Sequence, residues 1–249
     1  MSEKEEKETE NYENENENNN ENHEEKKRKI VIPGEVIISG KNYLPGEGTQ
    51  KEGDDIIALK YGLGEESGRL VKIIPLSGVY IPRKGNVVIG RVEDITFNGW
   101  VIEINAPYSS FLQVAEAPRY LDKENLSEFL DIGDLLVAKI YSINPRGIDL
   151  ALKDRGLGKI EEGMIIYINP SRVPRVIGRE GSMVNLIKNE TNCKITVGQN
   201  GVIWIKGQDV EDELFAKKAI LFAAEKSYVE GLTEKVKEFL DKEKKKRSK

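Results

Sequence analysis

Histidine and cysteine are almost absent from this 249-residue chain, which contains one of each. His23 lies in a low-complexity N-terminal segment, so the rest of the chain has no imidazole for nucleophile activation, proton transfer or metal binding. Cys193 alone can form neither an internal disulfide nor a zinc site built on paired cysteines. These absences exclude the histidine-dependent enzymes. Carboxylate chemistry remains possible in principle, but nothing in the sequence groups the acidic residues into a recognisable pair.

Long hydrophobic runs are also lacking. No apolar stretch approaches the ~20 residues that a membrane-spanning helix needs. The Glu- and Asn-rich N-terminus resembles neither a signal peptide nor a transit peptide. Hydrophobic residues make up 38% of the chain and charged residues 33%, which is enough for packed cores in a soluble protein. We therefore expect a cytoplasmic protein without a membrane partner, a metal or another cofactor.

A surplus of positive charge, which is usual in nucleic-acid-binding proteins, is missing as well. The net charge is −5, and residues 1–25 contribute eleven glutamates and two lysines, a net of −9. Basic clusters at 26–29 and 241–249 add four positive charges each, which leaves residues 30–240 at −4. An RNA site in this chain must therefore be a local patch, or one shared with a partner that supplies positive charge.

Changes in composition divide the chain into five segments. Residues 1–29 are too polar to form a core and predict a disordered acidic tail, either solubilising or docking. Short β-branched runs between Gly and Pro predict a small all-β domain at 30–80. Residues 81–153 predict a barrel, residues 154–235 a second module, and residues 236–249 a basic C-terminal tail. The predicted fold class is mainly β plus α+β.

The barrel prediction depends on five strand candidates, NVVIGRVEDI, WVIEINA, SSFLQVA, DLLVAKIYSIN and GIDLALK. Five short strands in about seventy residues are typical of an OB-fold, whose open face commonly binds single-stranded nucleic acid. Between the third and fourth strands, PRYLDKENLSEFL predicts a loop and a short helix.

The next module has the order β-α-α-β-β-α, which is that of a type I KH domain. Gly178-Arg179-Glu180-Gly181 lies between its two predicted helices, where such a loop lets an RNA backbone approach closely. Gly198-Gln199-Asn200-Gly201 has the same Gly-x-x-Gly pattern but lies between two strands, which predicts a hairpin turn. Because Glu180 repels phosphate, a structural or protein-docking role for the module stays open.

In the barrel, the informative segment is TFNGWV, from Thr96 to Val101. It resembles the Phe-Gly-Ala-Phe-Val stretch of S-one domains, in which two aromatic rings stack on bases, and Phe97 and Trp100 take their places. The alternative is that these rings are core, since Trp100 alternates in phase with two isoleucines. Gln113 stands where the S-one family often has a histidine.

Two groups of residues are the candidate RNA contacts, and no residue is a candidate for catalysis or metal binding. The candidates on the barrel are Arg91, Phe97, Trp100, Tyr108, Lys139 and Arg146. The candidates around the KH loop are Arg172, Arg175, Gly178, Arg179, Glu180, Gly181 and Lys188.

Residues 30–235 together resemble the S-one/KH cap subunit of the archaeal RNA exosome, an exosome complex component of the ribosomal-RNA-processing family. The resemblance is carried by VIPGE with GEGT, by GRVEDITFNGWVIEI and by VIGREG. It implies three copies on a hexameric ring of RNase PH-like phosphorolytic subunits. The N-terminal domain would then dock on the ring, and the barrels would guide single-stranded RNA 3′ ends into its pore.

Related families differ in countable ways. Polynucleotide phosphorylase has KH before the barrel, Nus-type factors have two KH domains, and the other exosome cap ends in a zinc ribbon that one cysteine cannot build. The sequence thus predicts a non-catalytic RNA-recruiting subunit of a 3′-to-5′ degradation complex. The alternatives are a free-standing RNA-binding protein in translation or RNA folding, and a metal-dependent ribonuclease.

Overall fold

The computed structural model describes residues 28–117, 125–226, 229 and 231–247. The chain divides into two compact units, one ending at Pro75 and one beginning at Leu76. The predicted acidic tail lies outside the described residues, except that Arg28 and Lys29 already belong to the first strand.

Between residues 28 and 75, the described part of the first unit, the regular structure is all β, as predicted. Its strands form a four-stranded sheet in the order β1-β6-β7-β3 and a three-stranded sheet in the order β2-β5-β4. Its core is small, with Val31, Ala58 and Ile73 buried together against Ile37. The strands are β1 (Arg28–Val31), β2 (Val36–Ser39), β3 (Leu44–Pro45), β4 (Thr49–Glu52), β5 (Asp55–Ala58), β6 (Gly62–Ser67) and β7 (Leu70–Pro75).

The barrel is the first part of the second unit, and its five strands confirm the OB prediction. Neighbours pair in the order β12-β10-β9-β8-β11, and β11 also pairs with β12, which closes the barrel. A further strand, β13 (Gly158–Ile160), extends it beside β11. The barrel strands are β8 (Val87–Thr96), β9 (Gly99–Glu103), β10 (Ser110–Gln113), β11 (Leu135–Asn144) and β12 (Gly147–Ala151).

The segment between β10 and β11 contains the predicted short helix, α1 (Leu126–Phe129). Residues 118–124 of the predicted loop lie outside the described residues. Leu126 and Leu130 are buried in the barrel core. The barrel core also includes a residue that precedes the first barrel strand in the chain. Tyr80 is buried in this core, and its hydroxyl donates to Asn86 Oδ1 at 2.9 Å. Tyr80, the last residue of the predicted N-terminal domain, thus packs with the barrel.

The KH prediction is also confirmed. The strands β14 (Met164–Tyr167), β15 (Lys194–Val197) and β16 (Val202–Lys206) form an antiparallel sheet in the order β14-β16-β15. The helices pack on this sheet through one apolar cluster that includes Val176, Ile187, Ile203 and Ile220. They are α2 (Val173–Ile177), α3 (Ser182–Thr191) and α4 (Val210–Glu225).

The predicted basic tail from residue 236 is instead a helix, α5 (Leu232–Arg247). Val236 and Leu240 are buried in the KH core, and the rings of Phe222 and Phe239 stack at 4.5 Å with 9° between their planes. Leu232, Val236 and Leu240 recur every four residues, which places them on one helix face. The many lysines between them conceal this stripe when the segment is read by charge alone.

The turn at residues 198–201 joins the KH domain to the barrel. The Gln199 backbone N–H donates to the Val87 carbonyl at 2.8 Å, and the Gln199 side chain accepts from the Val87 N–H at 2.7 Å. The buried Asn200 amide accepts from the Ile89 N–H at 3.3 Å and donates to the Ile89 and Ile104 carbonyls at 2.8 and 3.0 Å. Beside them, Ile89, Val137 and Val202 form a small apolar cluster. These contacts hold the two modules in one unit.

Candidate RNA interface

A groove of about 540 Å³ lies on the outer face of the barrel. It is lined by β9, β10 and the turn between β11 and β12, which carries Arg146. In an OB-fold, the face of the second and third strands and the loops beside it bind oligonucleotides. Phe97, in the turn between the first two barrel strands, is 87% exposed. Both Phe97 and Arg146 thus lie in the loops that this fold uses for binding.

The walls of the groove combine an aromatic ring with polar groups. In the strand register Phe111 faces Val101 on one side and Asp149 on the other. The Asp149 carboxylate accepts hydrogen bonds from Ser142 Oγ at 2.6 Å and Asn144 Nδ2 at 2.7 Å. Single-stranded nucleic acid is bound by aromatic rings that stack on bases and by positive charge along the backbone. The groove has such a ring, polar groups for the edge of a base and an arginine for phosphate.

Sequence reasoning missed Phe111. The signal was available, because Leu112 is buried opposite Trp100 and neighbouring residues of a strand point to opposite faces. Placing Leu112 in the core would have turned Phe111 outward.

The prediction that Trp100 stacks on a base is wrong. It is completely buried in the barrel core, where its ring lies 5.7 Å from that of Phe129 and its Nε1–H donates to the Leu130 carbonyl at 2.9 Å. A ring in that position cannot stack on a base. The core alternative was therefore right for Trp100, because it shares the inward phase of Ile102 and Ile104.

The other barrel candidates are at the surface, and two of them already have acidic partners. Arg91 Nη2 lies 3.5 Å from Glu103 Oε2, and Lys139 Nζ lies 2.7 Å from Asp154 Oδ2. Tyr108 is 62% exposed in the segment between β9 and β10. Since exposed ion pairs are weak, both cations remain available to a phosphate that competes for them.

The Gly178–Gly181 loop joins α2 to α3, as predicted. Gly178 has φ 75°, and a Cβ there would lie 2.7 Å from the Met183 backbone nitrogen, so glycine is required. Glu180 and Gly181 are left-handed, with φ 51° and 80°. Arg175, Arg179 and Glu180 are exposed, whereas Arg172 and Lys188 are partly buried. The loop presents its backbone, Arg179 and the Glu180 carboxylate, which opposes phosphate, to solvent, and Arg175 is exposed on the adjoining helix α2.

Shifted pKa values belong to ion pairs and burial away from the groove. Burial would raise the pKa of Asp134, but its hydrogen bond from Lys159 lowers it overall. The hydrogen bond from Lys206 lowers the pKa of Glu162, and burial raises the pKa of Tyr80 to about 12. Within the described residues, no three His, Cys, Asp or Glu side chains are grouped to hold a metal. No helix in those same ranges is long and apolar enough to span a membrane.

A closed OB barrel with an aromatic groove, fixed to a KH domain with an exposed glycine loop, defines an RNA-binding protein of the S-one/KH class. The KH family model matches residues 163–211. The Rrp4 exosome component of Methanothermus fervidus is 44% identical over 217 residues, covering 86% of this chain and 96% of that protein. Its counterpart in Thermococcus kodakarensis is 41% identical over 219 residues, covering 86% and 85%.

A solved structure agrees with these relatives. A crystal structure assigned to an exosome complex RNA-binding protein superposes with a TM-score of 0.62 at 34% identity, covering 68% of this chain and 99% of that one. The chain belongs to the Rrp4 family of exosome complex components.

Proposed function

We propose that this chain is the non-catalytic cap of a phosphorolytic 3′-to-5′ exoribonuclease, present in three copies on a hexameric ring of RNase PH-like subunits in the cytoplasm. Its first unit docks on the ring. The groove and the glycine loop recruit single-stranded RNA and direct the 3′ end into the pore. The ring subunits carry out the phosphorolysis.

The observation that carries this proposal is the exposed apolar surface of the first unit. Monomeric proteins seldom expose many large apolar side chains close together, and such patches mark interfaces. Leu44 and Leu70 face each other across β3 and β7, and both are exposed, at 56% and 42%. The other exposed apolar side chains of residues 28–75 are Ile30, Ile32, Val36, Leu59 and Tyr61.

A free-standing RNA-binding protein has no need of this surface. The core of the first unit is small, so leaving these side chains in water forgoes hydrophobic stabilisation that the unit could use. A ring partner would remove them from water. The balance of charge is compatible with the same proposal, since residues 30–240 carry −4 and a channel shared with other subunits draws positive charge from them as well.

Co-expression with the ring subunits, followed by native mass spectrometry, tests the proposal. We expect the wild-type chain to co-purify with six ring subunits in a three-to-six ratio. Leu44→Glu combined with Leu70→Glu should abolish this association, because it places carboxylates in an apolar interface. Ile132→Glu is the matched control, since Ile132 is 61% exposed but lies in the second unit.

Two results would contradict the proposal. The first is a wild-type chain that binds RNA but never co-purifies with the ring, which favours the free-standing alternative. The second is RNA degradation by the purified chain alone that stops on metal chelation, which favours the ribonuclease.

A further inference from the structure

A second concave site lies on the helical side of the KH domain, where α4 ends and α5 begins. Its volume is about 360 Å³, and Phe222 and Lys226 from the end of α4 line it. Lys235, Phe239 and Lys242 of α5 form the opposite wall, with Val229 between the helices. We call this site the lysine notch. It shares no residue with the barrel groove or with the Gly178–Gly181 loop.

Among the residues that the structure describes, the lining of the lysine notch has three lysines and one carboxylate, a net positive charge. Lys226, Lys235 and Lys242 are exposed, and none forms an ion pair with a residue that the structure describes. Glu238 is the acidic side chain that lines the notch among the described residues. Elsewhere on the same two helices, Lys218 and Lys246 pair with Glu243, and Lys244 pairs with Glu190. Three lysines without such an ion pair therefore line the cavity, although Lys217, Lys237 and Lys245 of the same helices also lack one and lie outside its lining.

The floor of the notch is aromatic. The stacked rings of Phe222 and Phe239 are both only partly buried, and both line the cavity. A nearly parallel pair of rings can extend its stack by one more flat ring. Bases stack on aromatic side chains regardless of their identity, at about 1–3 kcal/mol per base. An aromatic base linked to a phosphate therefore matches both the phenylalanine pair and the lysines.

We propose that the lysine notch is a second contact site for single-stranded RNA, with a base against the phenylalanine pair and phosphates on the lysines. This inference depends on the RNA-binding function proposed above. Lys235 and Lys242 lie two turns apart on one face of α5, about 10.5 Å along its axis, which suits cations that follow a backbone. An acidic peptide would satisfy the lysines but has no required ring for the aromatic floor.

The test is the affinity of the full chain for a fluorescent 20-nucleotide RNA, measured by anisotropy between 50 and 300 mM salt. Lys235→Gln with Lys242→Gln should weaken binding about fivefold or more and reduce the salt slope by about 1.4, because each phosphate contact adds about 0.7. Lys237→Gln with Lys245→Gln is the matched control on the same helix. These lysines are exposed and do not line the notch, so this pair should change the affinity less than about twofold.

Equal weakening by both pairs would overturn the inference, because it would show diffuse charge rather than a site. A second contradicting result would be a fluorescent acidic peptide that binds the chain and is displaced by polyglutamate but not by RNA. If the notch pair matches its control while Arg146→Gln weakens binding, the inference alone fails. If the wild-type chain binds no RNA, the proposed function fails with it.

Discussion

Two turns in this chain share the pattern Gly-x-x-Gly and do opposite things. Gly178–Gly181 lies between two helices with Arg179 and Glu180 in solvent. Gly198–Gly201 lies between two strands, with Asn200 only 3% exposed and bonded to the barrel. Glycine permits a close approach in both. In the second turn the approaching group is the protein's own barrel, whereas for the first turn we propose that it is RNA.

The difference shows that the residues between and around the glycines decide the role. Asn200 can both donate and accept, so one amide satisfies three backbone groups that the barrel would otherwise bury without partners. Charged residues at those positions could not be buried there without a large cost. The comparison therefore separates a turn that builds the protein from one that is free to bind.

The largest effect is expected from Asn200→Leu. This change leaves the Ile89 N–H and two carbonyls buried without partners, at about 1–3 kcal/mol each. The free energy of unfolding should fall by about 4 kcal/mol in urea titrations. Asn185→Leu, at an exposed position on α3, is the control and should cost less than about 1 kcal/mol. A small loss at Asn200 would show that the turn does not fasten the two modules.

Alanine at the last glycine of each turn sharpens the comparison further. At Gly201, which has φ 83°, a Cβ would overlap the Ile168 carbonyl oxygen, so we expect a loss of about 3 kcal/mol in thermal unfolding. At Gly181, with φ 80°, the nearest atom lies 3.4 Å away, and only backbone strain of about 1 kcal/mol applies. Equal losses would contradict the distinction between a packed turn and an open one.

Phe97→Ala extends the contrast to the barrel. Because the ring is 87% exposed, stability should be unchanged, while RNA affinity should fall roughly fivefold to thirtyfold with the loss of one stacked base. Fluorescence anisotropy and thermal unfolding measure the two quantities. Trp100→Ala should instead lower the free energy of unfolding by about 4 kcal/mol, because it leaves a cavity in the core. An unchanged RNA affinity in Phe97→Ala would remove Phe97 from the site.

The smallest effect is expected from Gly181→Asp. The added carboxylate beside Glu180 should weaken RNA binding about threefold by repelling phosphate, with most of the change at low salt. Gly53→Asp adds the same charge at φ 62° in open space and serves as the control. Equal affinities for the two variants would indicate that the KH domain is kept for docking rather than for RNA.

The fold followed from local patterns where these were unambiguous. Alternating β-branched strands predicted both β regions, and the order of elements predicted the KH domain with its first glycine loop. The role of Asn200 could not be predicted, because it depends on contacts more than ninety residues away in the chain. The alternation with Ile102 and Ile104 left two readings of Trp100, and its pairing opposite the buried Leu112 decides between them. The helix α5 was hidden because its apolar stripe is narrow among lysines.

The central claim is that this chain recruits RNA for a ring that does the chemistry. Its most direct test is the rate at which a reconstituted RNase PH-like ring degrades a labelled single-stranded RNA in phosphate buffer. The ring should be assayed alone, with the wild-type chain, and with a chain carrying Phe97→Ala and Arg146→Gln. We predict faster and more processive degradation with the wild-type chain, little stimulation by the variant, and no degradation by the chain alone. A ring whose rate is the same in all three assays, or a chain that cleaves RNA without the ring, would contradict the account.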